Sequence, residues 1–112
     1  MPETEYLGEW AIAFIWTLAL EGALIAILLS RQPPTKLLTA FLAANCLSHT
    51  SLWFVFPVFE PYWAWVTSAE IAVTVYEGLV YWTILRPRIS AVKAAFVSVV
   101  ANTTSCAFGL LT

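Results

Sequence analysis

The sequence predicts an all-α integral membrane protein, a four-helix bundle made of two parallel two-span repeats. Three observations support this fold class: 61% of the 112 residues are hydrophobic, only 11% are charged, and the mean hydropathy is +0.81. A water-soluble domain needs more polar residues than this to cover its surface, so lipid is the expected solvent. Four helices of about 20 residues, the length that crosses roughly 30 Å of hydrocarbon, account for most of the chain.

Proline and charge divide the chain into four apolar segments within a single transmembrane domain. The acidic N-terminal segment lacks the basic residues of a signal peptide, so the first apolar segment is expected to remain as a span. Pro33 and Pro34 interrupt any continuous helix between the first two segments, and Pro87 does the same between the last two, which predicts two tight hairpins. The predicted spans cover residues 10–30, 37–56, 62–85 and 89–111.

The distribution of charge predicts the orientation of these spans. All the basic residues lie in the two hairpin links, whereas the acidic residues outside the apolar segments lie at the opposite membrane face. Basic residues in short loops favour the cytoplasmic side. We therefore expect loops 31–36 and 86–93 to be cytoplasmic and both termini to be non-cytoplasmic. The basic residues are Arg31, Lys36, Arg86, Arg88 and Lys93, and the acidic ones are Glu3, Glu5, Glu9 and Glu60.

The two halves of the sequence, about 10–56 and 62–111, share a pattern of polar and small residues. In each half, a Glu-Gly pair is followed by an Ala-Asn pair, and the Glu and the Asn are 24 or 25 residues apart. A Ser lies three residues after each Asn. This recurrence predicts an internal duplication. Because each repeat contains two spans, both copies have the same orientation, unlike the inverted repeats of many transporters. The recurring polar residues are Glu21, Asn45 and Ser48 in the first half and Glu77, Asn102 and Ser105 in the second.

These six polar residues are predicted to form a buried centre. A carboxylate or amide in hydrocarbon costs several kcal/mol unless it faces protein. With a rise of about 1.5 Å per residue, the glutamates and asparagines lie near the membrane midplane and are expected to form carboxyl-to-amide hydrogen bonds, with at least one neutral glutamate. The pattern favours a clamp that holds the bundle; a proton, ion or substrate site is the functional alternative.

His49 and Glu70 break the repeat, because they correspond to Cys106 and Phe14. Both lie at a similar depth from the non-cytoplasmic face, so a contact between them is feasible. Three hypotheses remain open for this pair: a structural contact, a proton-handling or metal site, and axial ligation of a haem or chlorophyll-type pigment by the single histidine. Cys46 and Cys106 show no metal-binding spacing and are interpreted as buried thiols.

The sequence does not favour an enzyme, and no catalytic residue is assigned, because it has no P-loop, nucleophile elbow, HExxH or CxxC motif. We expect a small accessory or structural subunit of a larger membrane complex, such as an energy-converting respiratory or photosynthetic assembly. The alternative is an oligomeric small-substrate, ion or proton transporter that uses the buried Glu, Asn and His residues. The expected partners are lipid and other membrane subunits or further copies of the chain, and not nucleic acid. A pigment or lipid is a candidate cofactor that the sequence does not require.

Overall fold

The computed structural model describes residues 2–111, with side chains described for residues 4–109. Over this range the protein is all-α and has four helices, in agreement with the predicted fold class. α3 occupies the same residues as the third predicted span, whereas the first helix is longer than predicted. The helices are α1 (Pro2–Leu28), α2 (Pro34–Phe54), α3 (Tyr62–Leu85) and α4 (Ala91–Leu111).

Prolines define where α2 and α3 begin. Pro33 is the N-cap of α2 and Pro34 is its first residue, so α2 begins three residues before the predicted span. Proline is compatible with this position because its missing N–H has no partner in the first helical turn. Pro61 is the N-cap of α3 in an extended conformation. The same prolines that interrupt the chain therefore also start the next helix.

The acidic N-terminal segment continues α1 beyond the predicted span. Tyr6 donates a hydrogen bond to the backbone carbonyl of Trp53, and its ring lies 5.6 Å from that of Phe54. Trp10 packs edge-on against Phe54 with ring centroids 5.6 Å apart. These aromatic contacts join the beginning of α1 to the end of α2, and they explain why the helix extends into a charged segment.

The four helices form a square bundle measuring 45 × 25 × 24 Å. Each helix packs against its two neighbours in the order α1, α2, α3, α4 and back to α1, and within the described residues the Cα atoms of the diagonal pairs do not come within 8 Å of each other. Short links make consecutive helices antiparallel. All four helices therefore present one face to a shared central axis.

The apolar core fills the end of the bundle nearest the two hairpin links. Its buried side chains there include Ile25 from α1 and Leu85 from α3, together with Leu29 and Ile89 from the two links. Large hydrophobic residues are also exposed on every helix, for example Ile27, Leu47, Ile71 and Phe96. This distribution suits a bundle whose outer surface contacts acyl chains.

Three helices are long and apolar enough to cross a membrane: Thr4–Leu28, Pro34–Phe54 and Ala91–Gly109. α3 has 24 residues and is about 36 Å long at 1.5 Å per residue, so its length is also sufficient. α3, which contains Glu70 and Glu77, is not among these three candidate spans.

One glycine lies at a close contact in each of two helix pairs, α1–α2 and α3–α4. A Cβ on Gly22 of α1 would lie 3.3 Å from the ring of Phe41 in α2, and a Cβ on Gly78 of α3 would lie 3.5 Å from the Cβ of Ser98 in α4. Small residues allow helices in lipid to approach closely. Because serine replaces the phenylalanine ring at this contact, α3 and α4 pack more extensively than α1 and α2.

Candidate functional site

A cavity of about 120 Å³ lies between all four helices. We call it the central cavity. It is large enough for several water molecules, since one water needs roughly 30 Å³ of liquid volume. Nine of its lining residues have polar or sulfur-bearing side chains: Thr17, Glu21, Ser48, His49, Glu70, Glu77, Asn102, Ser105 and Cys106; Leu52 and Val73 complete the wall.

Glu77 of α3 is the most fully bonded acid in the cavity, and only 1% of its surface is exposed. Ser48 of α2 donates a hydrogen bond of 2.5 Å to its Oε2. Asn102 of α4 donates one of 3.1 Å to its Oε1, and the same amide group also contacts the backbone carbonyl of Ser98 at 3.0 Å. Glu77 thus connects three helices, which is the clamp geometry expected of a carboxyl group paired with a side-chain amide.

Glu21 of α1 has fewer hydrogen bonds than Glu77, although it is equally buried. Ser105 of α4 donates a hydrogen bond of 2.9 Å to its Oε2. Its Oε1 receives no hydrogen bond from a donor within residues 4–109. The carboxyl groups of Glu21 and Glu77 are adjacent, within reach of a hydrogen bond between them. Because two adjacent acids in a low dielectric do not both ionise readily, they are suited to sharing a proton.

Asn45 differs from its counterpart Asn102. It is fully buried, but its amide group donates to the backbone carbonyl of Phe41 at 3.0 Å and not to Glu21. Its side chain interacts with the hydroxyl of Tyr81 in α3, but neither Asn45 Oδ1 nor that hydroxyl forms a close hydrogen bond with another described residue. Asn45 does not line the central cavity. Of the two expected carboxyl-to-amide pairs, the structure therefore contains the Glu77–Asn102 pair and lacks the Glu21–Asn45 pair.

His49 and Glu70 line the same cavity, but the histidine ring is held by other groups. It stacks on Phe14 with centroids 5.1 Å apart and planes inclined by 18°. It also forms a hydrogen bond with the backbone of Trp10, and in the part of the chain that the structure describes its Nε2 has no partner. A neutral imidazole that donates through Nδ1 presents Nε2 as an acceptor. The acceptor nitrogen of His49 is therefore free for a ligand in the cavity.

Glu70 lies about 10 Å along α3 from Glu77, since seven residues separate them. It is only partly buried and lies beside Cys106, with which it interacts. Phe14 and His49 in the first half are thus in contact, and so are their counterparts Glu70 and Cys106 in the second half.

The cavity is too small for a large cofactor. Pockets for drug-sized ligands have volumes of about 300–1,000 Å³, so a porphyrin-sized ring does not fit beside His49 in this conformation. Among residues 4–109, no three His, Cys, Asp or Glu side chains are grouped so that they could hold a metal ion. The arrangement favours a small polar occupant.

Sequence reasoning selected most of the cavity wall but missed Thr17 and assigned no role to Cys106. Thr17 lies one helical turn before Glu21, so it shares the inward face of α1. Cys106 follows Ser105 and is the counterpart of His49, a correspondence that was visible in the sequence. Thr17 could therefore have been found from its spacing to Glu21, and Cys106 from its position in the repeat.

Together the fold and the site define a small helical membrane bundle with acidic side chains around an internal cavity. Comparison with known protein families, curated proteins and solved structures finds no match for this chain. Its function must therefore be inferred from the chemistry of the cavity.

Proposed function

We propose that the protein is a proton-coupled membrane transporter for a small cation that carries N–H donors. The observation on which the proposal rests is the composition of the central cavity: three glutamates and no lysine or arginine line it. Carboxylates removed from water need a proton or a cation to balance their charge. A cavity lined by acidic groups without a basic partner is therefore suited to bind a proton or a cation from outside the protein.

Proton and cation would compete for the same two carboxyl groups. Without a cation, Glu21 and Glu77 share one proton, which lies between adjacent oxygens. When a cation enters, its N–H groups donate to Glu21 Oε1 and to His49 Nε2, the buried atoms of the cavity-lining residues that have no partner in the described part of the chain. The shared proton then leaves, so the net charge of the occupied site is unchanged. This competition couples cation movement to proton movement in the opposite direction.

The serine and asparagine contacts have a separate role in this proposal. Ser48 and Asn102 fix both oxygens of Glu77, and Ser105 fixes one oxygen of Glu21. Binding groups that are held in place before the ligand arrives lose less conformational entropy when it binds. The clamp predicted from the sequence thus orients the acids, and the unpaired atoms bind the cation.

The proposal also includes the arrangement of the chain in the membrane. α1 to α4 each cross the bilayer, with loops 31–36 and 86–93 on the cytoplasmic side. Four helices are few to enclose a path between two membrane faces, so we include association of two or more copies of the chain. Movement of the helices relative to one another exposes the cavity to each face in turn.

Guanidinium uptake into proteoliposomes tests the proposal. Guanidinium is small, permanently charged and rich in N–H donors, so it does not cross lipid as a neutral molecule. With an acidic interior, we expect protein-dependent uptake of radiolabelled guanidinium that stops when a protonophore removes the gradient. Glu21→Gln and Glu77→Gln should abolish uptake. Glu60→Gln, the same change at an exposed link position, should leave it unchanged.

Two results would contradict the proposal. One is uptake no greater than in protein-free liposomes, and the other is unchanged uptake in both glutamine variants. Circular dichroism and gel filtration of the variants in mild detergent control for loss of the fold.

The accessory-subunit hypothesis stays a prediction. The exposed hydrophobic residues on all four helices can contact either lipid or a neighbouring subunit. Native mass spectrometry of a mild-detergent extract distinguishes the two hypotheses. Stoichiometric association with larger membrane proteins supports an accessory subunit, whereas recovery only as a homo-oligomer counts against it.

A further inference from the structure

A groove of about 570 Å³ runs along the outer surface between α3 and α4. We call it the α3–α4 groove. Its wall is mainly apolar, with Val66, Ile71 and Val75 from α3 and Val99 and Ala107 from α4. In a membrane this surface faces acyl chains, so an aliphatic chain is a suitable occupant.

The α3–α4 groove meets the central cavity at Glu70 and Cys106. These two residues line both spaces, and they lie beside each other. Glu70 is partly exposed, whereas Glu21 and Glu77 are buried behind it. The carboxyl group of Glu70 thus lies at the junction between the apolar α3–α4 groove and the acidic central cavity.

A second groove, between α2 and α3, provides a comparison. It has a volume of about 520 Å³ and reaches the central cavity at Ser48, Leu52 and Val73. No charged residue lines it. The two grooves are therefore similar in size and apolar character, and the carboxyl group of Glu70 distinguishes the α3–α4 groove.

We infer that the protein binds an amphiphilic cation whose alkyl chain lies in the α3–α4 groove and whose N–H-bearing head group passes Glu70 into the central cavity. This inference rests on the proposed function and adds to it the class of substrate and the side from which it enters. The apolar wall matches the chain and the three carboxyl groups match the positive charge. The unpaired Glu21 Oε1 and His49 Nε2 accept hydrogen bonds, so a head group with N–H donors fits better than a quaternary ammonium.

Equilibrium dialysis against lipid nanodiscs tests this inference with two probes, radiolabelled guanidinium and radiolabelled octylguanidinium. Ala107→Phe places a ring in the α3–α4 groove without altering a residue of the central cavity. Ala72→Phe makes the same change in the α2–α3 groove and is the matched control. Empty nanodiscs correct for partition of octylguanidinium into lipid, which is the same for every variant.

We expect Ala107→Phe to weaken octylguanidinium binding by about tenfold or more, because the ring occupies the groove and a bound alkyl chain would have to overpack against it. Guanidinium binding by the same variant should be unchanged, which also shows that it folds. Ala72→Phe should bind both probes as the unmodified protein does, and Glu70→Gln should weaken octylguanidinium binding.

Equal octylguanidinium binding by Ala107→Phe and Ala72→Phe would overturn the inference, as would tighter binding of octyltrimethylammonium than of octylguanidinium. If either result is found while guanidinium binding and uptake persist, the inference fails and the proposed function still holds. Groove-dependent binding of octylguanidinium without any guanidinium uptake would instead support the inference and contradict transport.

Discussion

Ser105 Oγ donates a hydrogen bond of 2.9 Å to Glu21 Oε2, and this contact joins the last helix to the first. Its counterpart is the bond of 2.5 Å from Ser48 to Glu77, which joins α2 to α3. In each case the serine belongs to one half of the sequence and the glutamate to the other. The two halves are therefore fastened to each other by a reciprocal pair of side-chain contacts.

Ser105→Ala and Ser48→Ala should each destabilise the bundle. Each substitution removes a donor from a buried carboxyl group, and side-chain hydrogen bonds of this kind in membranes contribute about 1 kcal/mol. We expect a decrease of about that size in the free energy of unfolding, measured by titration with sodium dodecyl sulfate. Ser68→Ala, at an exposed position of α3, should change it by less than about 0.5 kcal/mol.

Glu77→Ala should destabilise the protein more than Glu77→Gln. Alanine leaves the Ser48 hydroxyl and the Asn102 amide without their acceptor, whereas glutamine keeps an oxygen at the same place. Losing two buried hydrogen bonds costs about 2 kcal/mol. The same denaturant titration measures both variants, and equal stability of the two would show that Glu77 does not hold the helices together.

Gly78→Val should separate α3 from α4. An added Cβ at this position meets the Cβ of Ser98 at 3.5 Å, so alanine is accommodated but a branched side chain is not. Overpacking of this kind costs about 1–3 kcal/mol. Gly109→Val is the matched control, because nothing lies within 4 Å of a Cβ there. Thermal unfolding in detergent should show a lower midpoint for Gly78→Val alone.

The proposed orientation predicts which links an aqueous reagent reaches. In a background with Cys46 and Cys106 replaced by serine, Glu60→Cys should react with a membrane-impermeant maleimide in intact cells. Ser90→Cys, in the basic link before α4, should react only after the membrane is permeabilised. The opposite pattern would invert the topology, and equal labelling of both in intact cells would contradict the proposed arrangement of spans.

The sequence predicted the helical fold well, because hydropathy, proline and chain length limit the choices in a membrane. It did not predict which amide reaches which acid. Asn45 and Asn102 follow a glutamate by 24 and 25 residues, yet only Asn102 bonds to one. The difference follows from Phe41, whose ring faces Gly22 where Ser98 faces Gly78, so that α1 and α2 pack less extensively.

The pairing of serines with glutamates across the two halves also lay beyond the sequence. Ser48 and Ser105 were selected for their place in the repeat, but spacing along a chain does not tell which neighbouring helix a side chain contacts. Helix order around the bundle supplies that information, since α4 packs against α1 and α2 against α3. His49 illustrates the same limit, because stacking on Phe14 determines the direction of its ring.

Proton release on cation binding tests the central claim most directly. We would add guanidinium to the purified protein in weakly buffered detergent solution and measure the change in pH. The account predicts release of about one proton per chain as guanidinium displaces the proton shared by Glu21 and Glu77, and no release from Glu77→Gln. Guanidinium binding without proton release in the unmodified protein would contradict it.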